Sequence, residues 1–303
     1  FKKIIPLNAG GRPGEQIRHV FVDSETRLLL ATSGSNKKGK SWGRIVALTG
    51  CAKAGSTLKA GSTLKSDIYG FRSTGKYGGW YFAGTDRSVV MTSKDAKVWD
   101  HCLSVSPDGV VTMADVAKKT DVEIEQACPS PMFQTNTILT FHGRLYFVSN
   151  SGVFVLDDKH LVRVIDPIRY HNAQIYAAGI YQDRLLIGTG WNWTKTVDDD
   201  QSNFFVIDAD GQVKFLTQVK GMRMPYVFIP NGCPNGDSVL VGANGGNVLE
   251  LDVNTGATTF LFNMPRNNPY STARMDGQVY VGAYGASHDN LFMLDRAKGA
   301  VCE

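Results

Sequence analysis

The sequence predicts an all-β fold: a single β-propeller over residues 1–303 with six four-stranded blades, seven being the alternative. Three observations predict it. A strand-like run, a tight turn with Gly or Asp and a second strand ending in small residues recur six times: "VFVDSETRLLLATSG", "FRSTGKYGGWYFAGTD", "ILTFHGRLYFVSN", "AAGIYQDRLLIGTG", "FIPNGCPNGDSVLVGAN" and "TARMDGQVYVGAYG". Each copy is followed by a third strand, often ending in Asp, as in "GVFVLDD", "NFFVIDAD" and "NLFMLDRAKG". The chain also opens on a lone strand, "KKIIPL", and stops after the third strand and turn of the last copy, "FMLDRAKGAVCE". Lys2–Leu7 would then be the outer strand of the last blade and close the ring. Period-2 alternation of β-branched and aromatic residues between turn dipeptides makes these runs strands.

In chain order, the first copy is followed by "KAGSTLKAGSTL", a tandem duplication whose small, polar composition predicts a loop or outer hairpin over 52–66. Residues 100–130 are too long for one connection. They predict an insertion with a short helix near Asp115 to Gln126, or else a degenerate seventh blade; Thr120 and Glu123 have the spacing of a capping box. Copies three to six follow at regular spacing, and in the later ones the third strand turns through a polar pair into a fourth, as in "DADGQVKFLTQV".

Composition narrows the function. Thirty-two Lys and Arg against 28 Asp and Glu leave a net charge of +4, too small and dispersed for the basic stripe of a nucleic-acid binder. No apolar run approaches the roughly 18 residues of a membrane-spanning helix, so no membrane insertion is expected. The five cysteines (Cys51, Cys102, Cys128, Cys233, Cys302) form no C-x-x-C pair, leaving one or two disulfides or free buried thiols open.

Propeller topology puts the second-to-third connections at the end where each innermost strand begins, and the first-to-second turns at the opposite end. The first-to-second turns are short throughout and read as structural. The second-to-third connections are extended in the first ("SGSNKKGKSWG"), fourth ("GWNWTKTVDDDQSN") and sixth ("YGASHDN") blades, and long loops on a rigid scaffold are where function concentrates. Trp42, Trp191, Trp193, Tyr284 and His288 would supply flat apolar faces there, and Asp198, Asp199 and Asp200 acceptors, the mixture that suits a sugar. The sequon Asn192-Trp193-Thr194 would count against that site if glycosylated. Residues leading into the innermost strands line the funnel: Arg18, His19, Asn136, Gln174, Arg223 and Tyr270. Arg18 with Arg223 could take an anion such as a carboxylate. Calcium is the expected ion if there is one, held by Asp198 to Asp200 or on the axis. No nucleophile elbow, P-loop or dinucleotide fingerprint is present, and "GANGGN" leads from strand to strand as a hairpin turn.

Two local resemblances bear on this. "VVMTSKDAKVWDHC" resembles the Asp-box of sialidase-like propellers, with Ser93, Asp95 and Trp99 matching in type, the Gly missing and the Trp one residue early. That box is structural and implies a hairpin between third and fourth strands. "FIPNGCPNGDSVLVGANGGNVLELDVNTG" is similar to one blade of the gluconolactonase and strictosidine-synthase-like six-bladed propellers, which implies a calcium ligand at Asn231. The segment corresponding to their first ligand Glu reads "IRHVFV" here.

Three functions follow as expectations. The first is a non-catalytic recognition module, extracellular or surface-displayed, that binds a glycan or protein partner through its long loops. The second is a structural or assembly subunit of a surface appendage or virion. The third is a metal-dependent small-molecule hydrolase or synthase of the lactonase-like type.

Overall fold

In the computed structural model the chain is described for residues 2–6, 15–24, 27–36, 40–49, 59–170, 174–190, 201–222, 224–230, 237–264, 267–275, 278–285 and 290–293. These form six antiparallel sheets, the blades of one propeller, so the seven-bladed alternative is excluded. The innermost strands, from first blade to sixth, are Gln16–Ser24, Phe71–Tyr77, Thr135–Phe141, Gln174–Tyr181, Pro225–Pro230 and Asn267–Met275. Lys2–Pro6 pairs antiparallel with Asn290–Met293 and is the outermost strand of the sixth blade.

The core lies between blades, which explains the strand sequences. Central strands such as Arg27–Ser35 and Arg184–Gly190 are buried on both faces and read as unbroken apolar runs instead of alternating ones. Successive residues still point to opposite sides. Leu29 and Ala31 pack toward Phe71 and Tyr81 of the second blade, whereas Leu28 and Leu30 pack toward Tyr280 of the sixth. Likewise Leu185 and Ile187 meet the third blade at Tyr146 and Val148, and Leu186 meets the fifth at Phe228 and Val241. Each apolar run thus supplies two interfaces, and the ring closes because both faces of every blade need a neighbour.

Small residues at the ends of second strands let the inner strands approach. A Cβ on Gly188 would lie 2.9 Å from Pro225 Cγ, one on Gly242 2.3 Å from Pro269 Cγ, and one on Gly282 2.6 Å from Ile17 Cγ2. Each of these glycines therefore abuts the innermost strand of the next blade.

Residues 100–130 divide into three parts. His101–Val105 is the second blade's fourth strand, Val111–Asp115 adds a fifth, and α1 (Asp121–Ala127) follows. The helix has the capping box: Thr120 Oγ1 accepts from the Glu123 amide, and Glu123 Oε2 accepts from the Thr120 amide at 2.7 Å. A disulfide between Cys102 and Cys128 ties the fourth strand to the end of α1, with Cα atoms 6.0 Å apart.

The Asp-box-like turn stands between third and fourth strands of this blade. Asp95 Oδ1 accepts the amides of Lys97 (2.7 Å) and Val98 (2.9 Å), Ser93 Oγ accepts that of Ala96 (3.0 Å), and the Trp99 side chain is buried. The amides, Val98 first, hold the Asp95 carboxyl below the usual carboxylate range. Ala96 takes the left-handed conformation (φ 58°) that lets the turn close without the family's glycine.

The duplication was expected as a loop or an outer hairpin, and its second copy fits the hairpin: Lys59–Ser66 is the outermost, fourth strand of the first blade, paired with Ser41–Thr49, while residues 52–58 lie outside the described residues. One expectation about loops is corrected. The first blade's long connection is mostly strand. Ser33, Gly34 and Ser35 pair with Gly43, Trp42 and Ser41, leaving residues 36–40 as the connection. Of the three connections expected to be elaborated, only the fourth blade's is long, residues 191–200.

Candidate functional site: the two mouths of the central channel

Every innermost strand carries a one-residue bulge at the same place. The register skips Arg18, Arg72, Asn136, Tyr176, Tyr226 and Tyr270, one residue per blade. A bulge takes one side chain out of the strand's alternation and re-aims it. Since these strands border the channel, the six positions form a ring at the loop end, where the second-to-third connections lie.

Contacts among the ring residues fit that placement. The Arg72 guanidinium sits 5.9 Å from the centre of the Tyr176 ring, so the second blade reaches the fourth past the third, across the channel. Tyr176 meets Tyr226 edge to face at 5.6 Å. Asn136 Nδ2 donates to Asn150 Oδ1 and to the Ile175 carbonyl, both at 2.8 Å, which fixes its amide. Arg18 Nε donates to Ser33 Oγ at 2.7 Å, and the Tyr226 hydroxyl accepts from Asn244 Nδ2 at 3.0 Å. The ring so combines the half-buried Arg18, Arg72 and Tyr176 side chains with those of Asn136 and Tyr226, which are buried behind them. Two residues ahead of the fourth blade's bulge, Gln174 is fully buried and neither end of its amide has a hydrogen-bond partner among the described residues.

A groove of about 630 Å³ adjoins this end, between the second blade's connection (Asp86–Val89) and the chain after α1, where Phe133 is exposed. Arg87 and Glu125 pair across it at 3.5 Å.

The other mouth differs. Past the bulges, the second halves of the innermost strands enclose a cavity of about 460 Å³, walled by residues such as Val22, Leu139, Ile180 and Phe228. Two of the turns beside it, His142–Gly143 and Gln182–Asp183, are only two residues long. They were expected to be purely structural; the fifth blade's turn, residues 231–236, lies outside the described residues. His19 faces the cavity. Its Nδ1 accepts the Thr74 amide at 3.4 Å, and although the side chain is only half-buried, the protein around it displaces enough water to push the imidazole down to about 4. It is therefore neutral at pH 7, with its proton on Nε2.

The residues anticipated from sequence fall into three groups. Arg18 and Asn136 are in the ring, Tyr270 holds the equivalent register position, and His19 and Gln174 flank it. Trp42 is in a strand, and its indole lies over Gly34, where a Cβ would be 2.6 Å from Nε1; it covers its own blade. Trp191, Trp193, Asp198, Asp199, Asp200, Arg223, Asn231 and His288 lie outside the described residues, as does the side chain of Tyr284. Among the described residues no three His, Cys, Asp or Glu side chains converge as a metal site, and no helix is long and apolar enough to cross a membrane.

Arg72, Tyr176 and Tyr226 were missed. The signal was available in aligned triplets at the strand starts, "IRH", "FRS", "TNT", "IYA", "PYV" and "PYS", each with an Arg, Asn or Tyr in the middle.

No family model matches the chain, and no curated protein matches it. Solved propellers do. A chain of the nidogen/laminin complex aligns with TM-score 0.55 and 12% identity over 88% of this chain and 93% of its own. YCF48 bound to D1 peptide aligns at 0.51 and 12%, covering 96% of each chain. A chain of the mitotic checkpoint complex aligns at 0.50 and 13%, over 97% and 99%. At such identities the likeness establishes the β-propeller fold and nothing finer; the six blades are those of this chain's own sheets.

Proposed function

We propose that this propeller is a recognition module that takes a protein partner on its loop end. The observation that carries this is the ring of bulge positions, where Arg18, Arg72, Asn136, Tyr176 and Tyr226 stand at one mouth of the channel. Tyr and Arg give large contact area and directional hydrogen bonds at modest entropic cost, and they dominate the energetics of protein interfaces. The adjoining groove with its exposed Phe133 extends the surface beyond the ring. The structural neighbours fit this reading, since three were solved in complexes named for protein or peptide partners. A glycan has less in its favour, because Trp42 lies over Gly34 in its own blade.

The test is affinity capture with wild type, Tyr176→Ala and the turn-end variant Thr140→Ala, alongside a glycan array. A protein held by wild type and Thr140→Ala and lost by Tyr176→Ala supports the proposal. Binding confined to glycans, or indifferent to Tyr176→Ala, overturns it.

A further inference from the structure

The turn-end cavity is separate from the ring and has a chemistry of its own. Its volume, about 460 Å³, lies in the range of small-molecule sites. Its walls are largely apolar: Val22 from the first blade, Ile138 and Leu139 from the third, Ala178 and Ile180 from the fourth, and Phe228 from the fifth. Against this lining stand a few polar groups. His19 presents a neutral imidazole whose tautomer is set by the Thr74 amide, leaving Nε2–H as a donor. Thr272 Oγ1 is buried in the wall without a hydrogen-bond partner among the described residues. Lys76 is at the rim, with its ammonium on the Tyr81 hydroxyl at 2.8 Å and 3.7 Å from Asp23, which Arg27 also holds. Of the other groups described at these turns, His142 and Asp183 contact each other at 2.6 Å and Arg184 donates to the Val253 carbonyl at 3.0 Å. The cations here are engaged by protein groups, while the interior offers a neutral donor and a hydroxyl.

We propose that this cavity binds a small, neutral, apolar molecule bearing one carbonyl, the oxygen accepting from His19 Nε2–H and the body filling the space between Leu139, Ile180 and Phe228. An ionised acid is disfavoured because the cation lining the cavity among the described residues, Lys76, already has its ammonium on Tyr81 and Asp23, and desolvating a carboxylate without a free partner is costly. An apolar molecule with no acceptor would leave the imidazole donor unsatisfied.

Benzophenone and diphenylmethane share the same two rings and differ in the carbonyl, which makes them the probes. Calorimetric titration of the whole chain should show saturable one-to-one binding of benzophenone, with diphenylmethane about fivefold weaker, the equivalent of roughly 1 kcal/mol for one hydrogen bond. His19→Phe should remove that difference, and Ala178→Phe, which fills the cavity, should abolish binding of both. Should Ala178→Phe fail to fold, Thr140→Trp at the exposed rim blocks the same opening. The proposal is overturned by absence of saturable binding, by binding that the blocking variants leave unchanged, or by a carbonyl preference that survives in His19→Phe.

Discussion

The two ends of the channel are built by the same six strands, and one irregularity separates them. At the loop end every innermost strand has a bulge, and the skipped residue is Arg, Asn or Tyr. Past the bulge, the pairing runs unbroken to the turn in five of the six blades, the first having a second shift between Val22 and Ser24. Regular pairing returns the side chains to strict alternation, and the channel wall there is mostly apolar. A single extra residue per strand so converts a closed wall into a polar ring. One propeller can in this way offer a partner surface at one mouth and a small-molecule cavity at the other.

Substitutions can break that comparison, and the largest effect is expected at the seam that sets both ends. Gly242→Val would drive side-chain atoms into Pro269, whose Cγ is already 2.3 Å from a Cβ at that position, and should cost on the order of 3 kcal/mol in denaturant unfolding. Gly61→Ala, with nothing within 4 Å, is the control and should change little. A tolerated Gly242→Val would mean that blade spacing does not fix the ring.

Next comes the disulfide behind the loop-end groove. Cys102→Ser opens a covalent loop with a sequence separation of 26 and should lower stability by about 3 kcal/mol under oxidising conditions. The same loss should appear in wild type on adding reductant, and if it does not, the bridge contributes little to the fold.

Asn136→Ala is smaller and tells the two ends apart. It leaves the Ile175 carbonyl and Asn150 Oδ1 without their donor, a cost of about 2 kcal/mol. Partner capture should weaken while benzophenone binding at the other mouth is retained. Loss of both would mean the ends are not independent.

The last effect is a pH dependence from the turn end, which leaves stability at neutral pH unchanged and appears only on acidification. His19 has its folded pKa lowered from 6.5 to about 4, so between those values the unfolded chain binds the extra proton and the folded chain does not. Its contribution to stability is complete above about 6.5, declines as the pH falls toward 4 and is lost below that. Melting midpoints of His19→Phe should therefore vary less across this window than those of wild type, and parallel curves would show that His19 is not held in its neutral form.

Most of the fold could be read from residues because each strand's identity is local. "RLLLA" and "RLLIG" are apolar on both faces, and their turn dipeptides punctuate them at a regular spacing. Capping-box spacing at Thr120 and Glu123 located a helix. The ring was legible in part, through Arg18, Asn136 and Tyr270 as residues leading into innermost strands. Arg72, Tyr176 and Tyr226 escaped because a bulge is a property of two strands in register, and neither strand shows it alone. For the same reason "SGSNKKGKSWG" reads as a loop: its small and polar residues lack strand propensity, and cross-strand pairing of Gly34 with Trp42 overrides it.

By itself the sequence determined that the chain is a propeller, because repeated hydrophobic patterns each demand burial on two faces and only a closed ring provides it; the choice of six blades over seven came from the structure, where residues 100–130 extend the second blade and form α1. The sequence also determined that the end with the second-to-third connections would differ from the end with tight turns. Tertiary structure alone decided which side chains meet at the axis. Arg72 reaches Tyr176 from two blades away, and the cavity beside His19 is bounded by strands far apart in the chain. Both depend on the distance across the ring, a quantity fixed by the packing of all six blades together and by no one segment of the sequence.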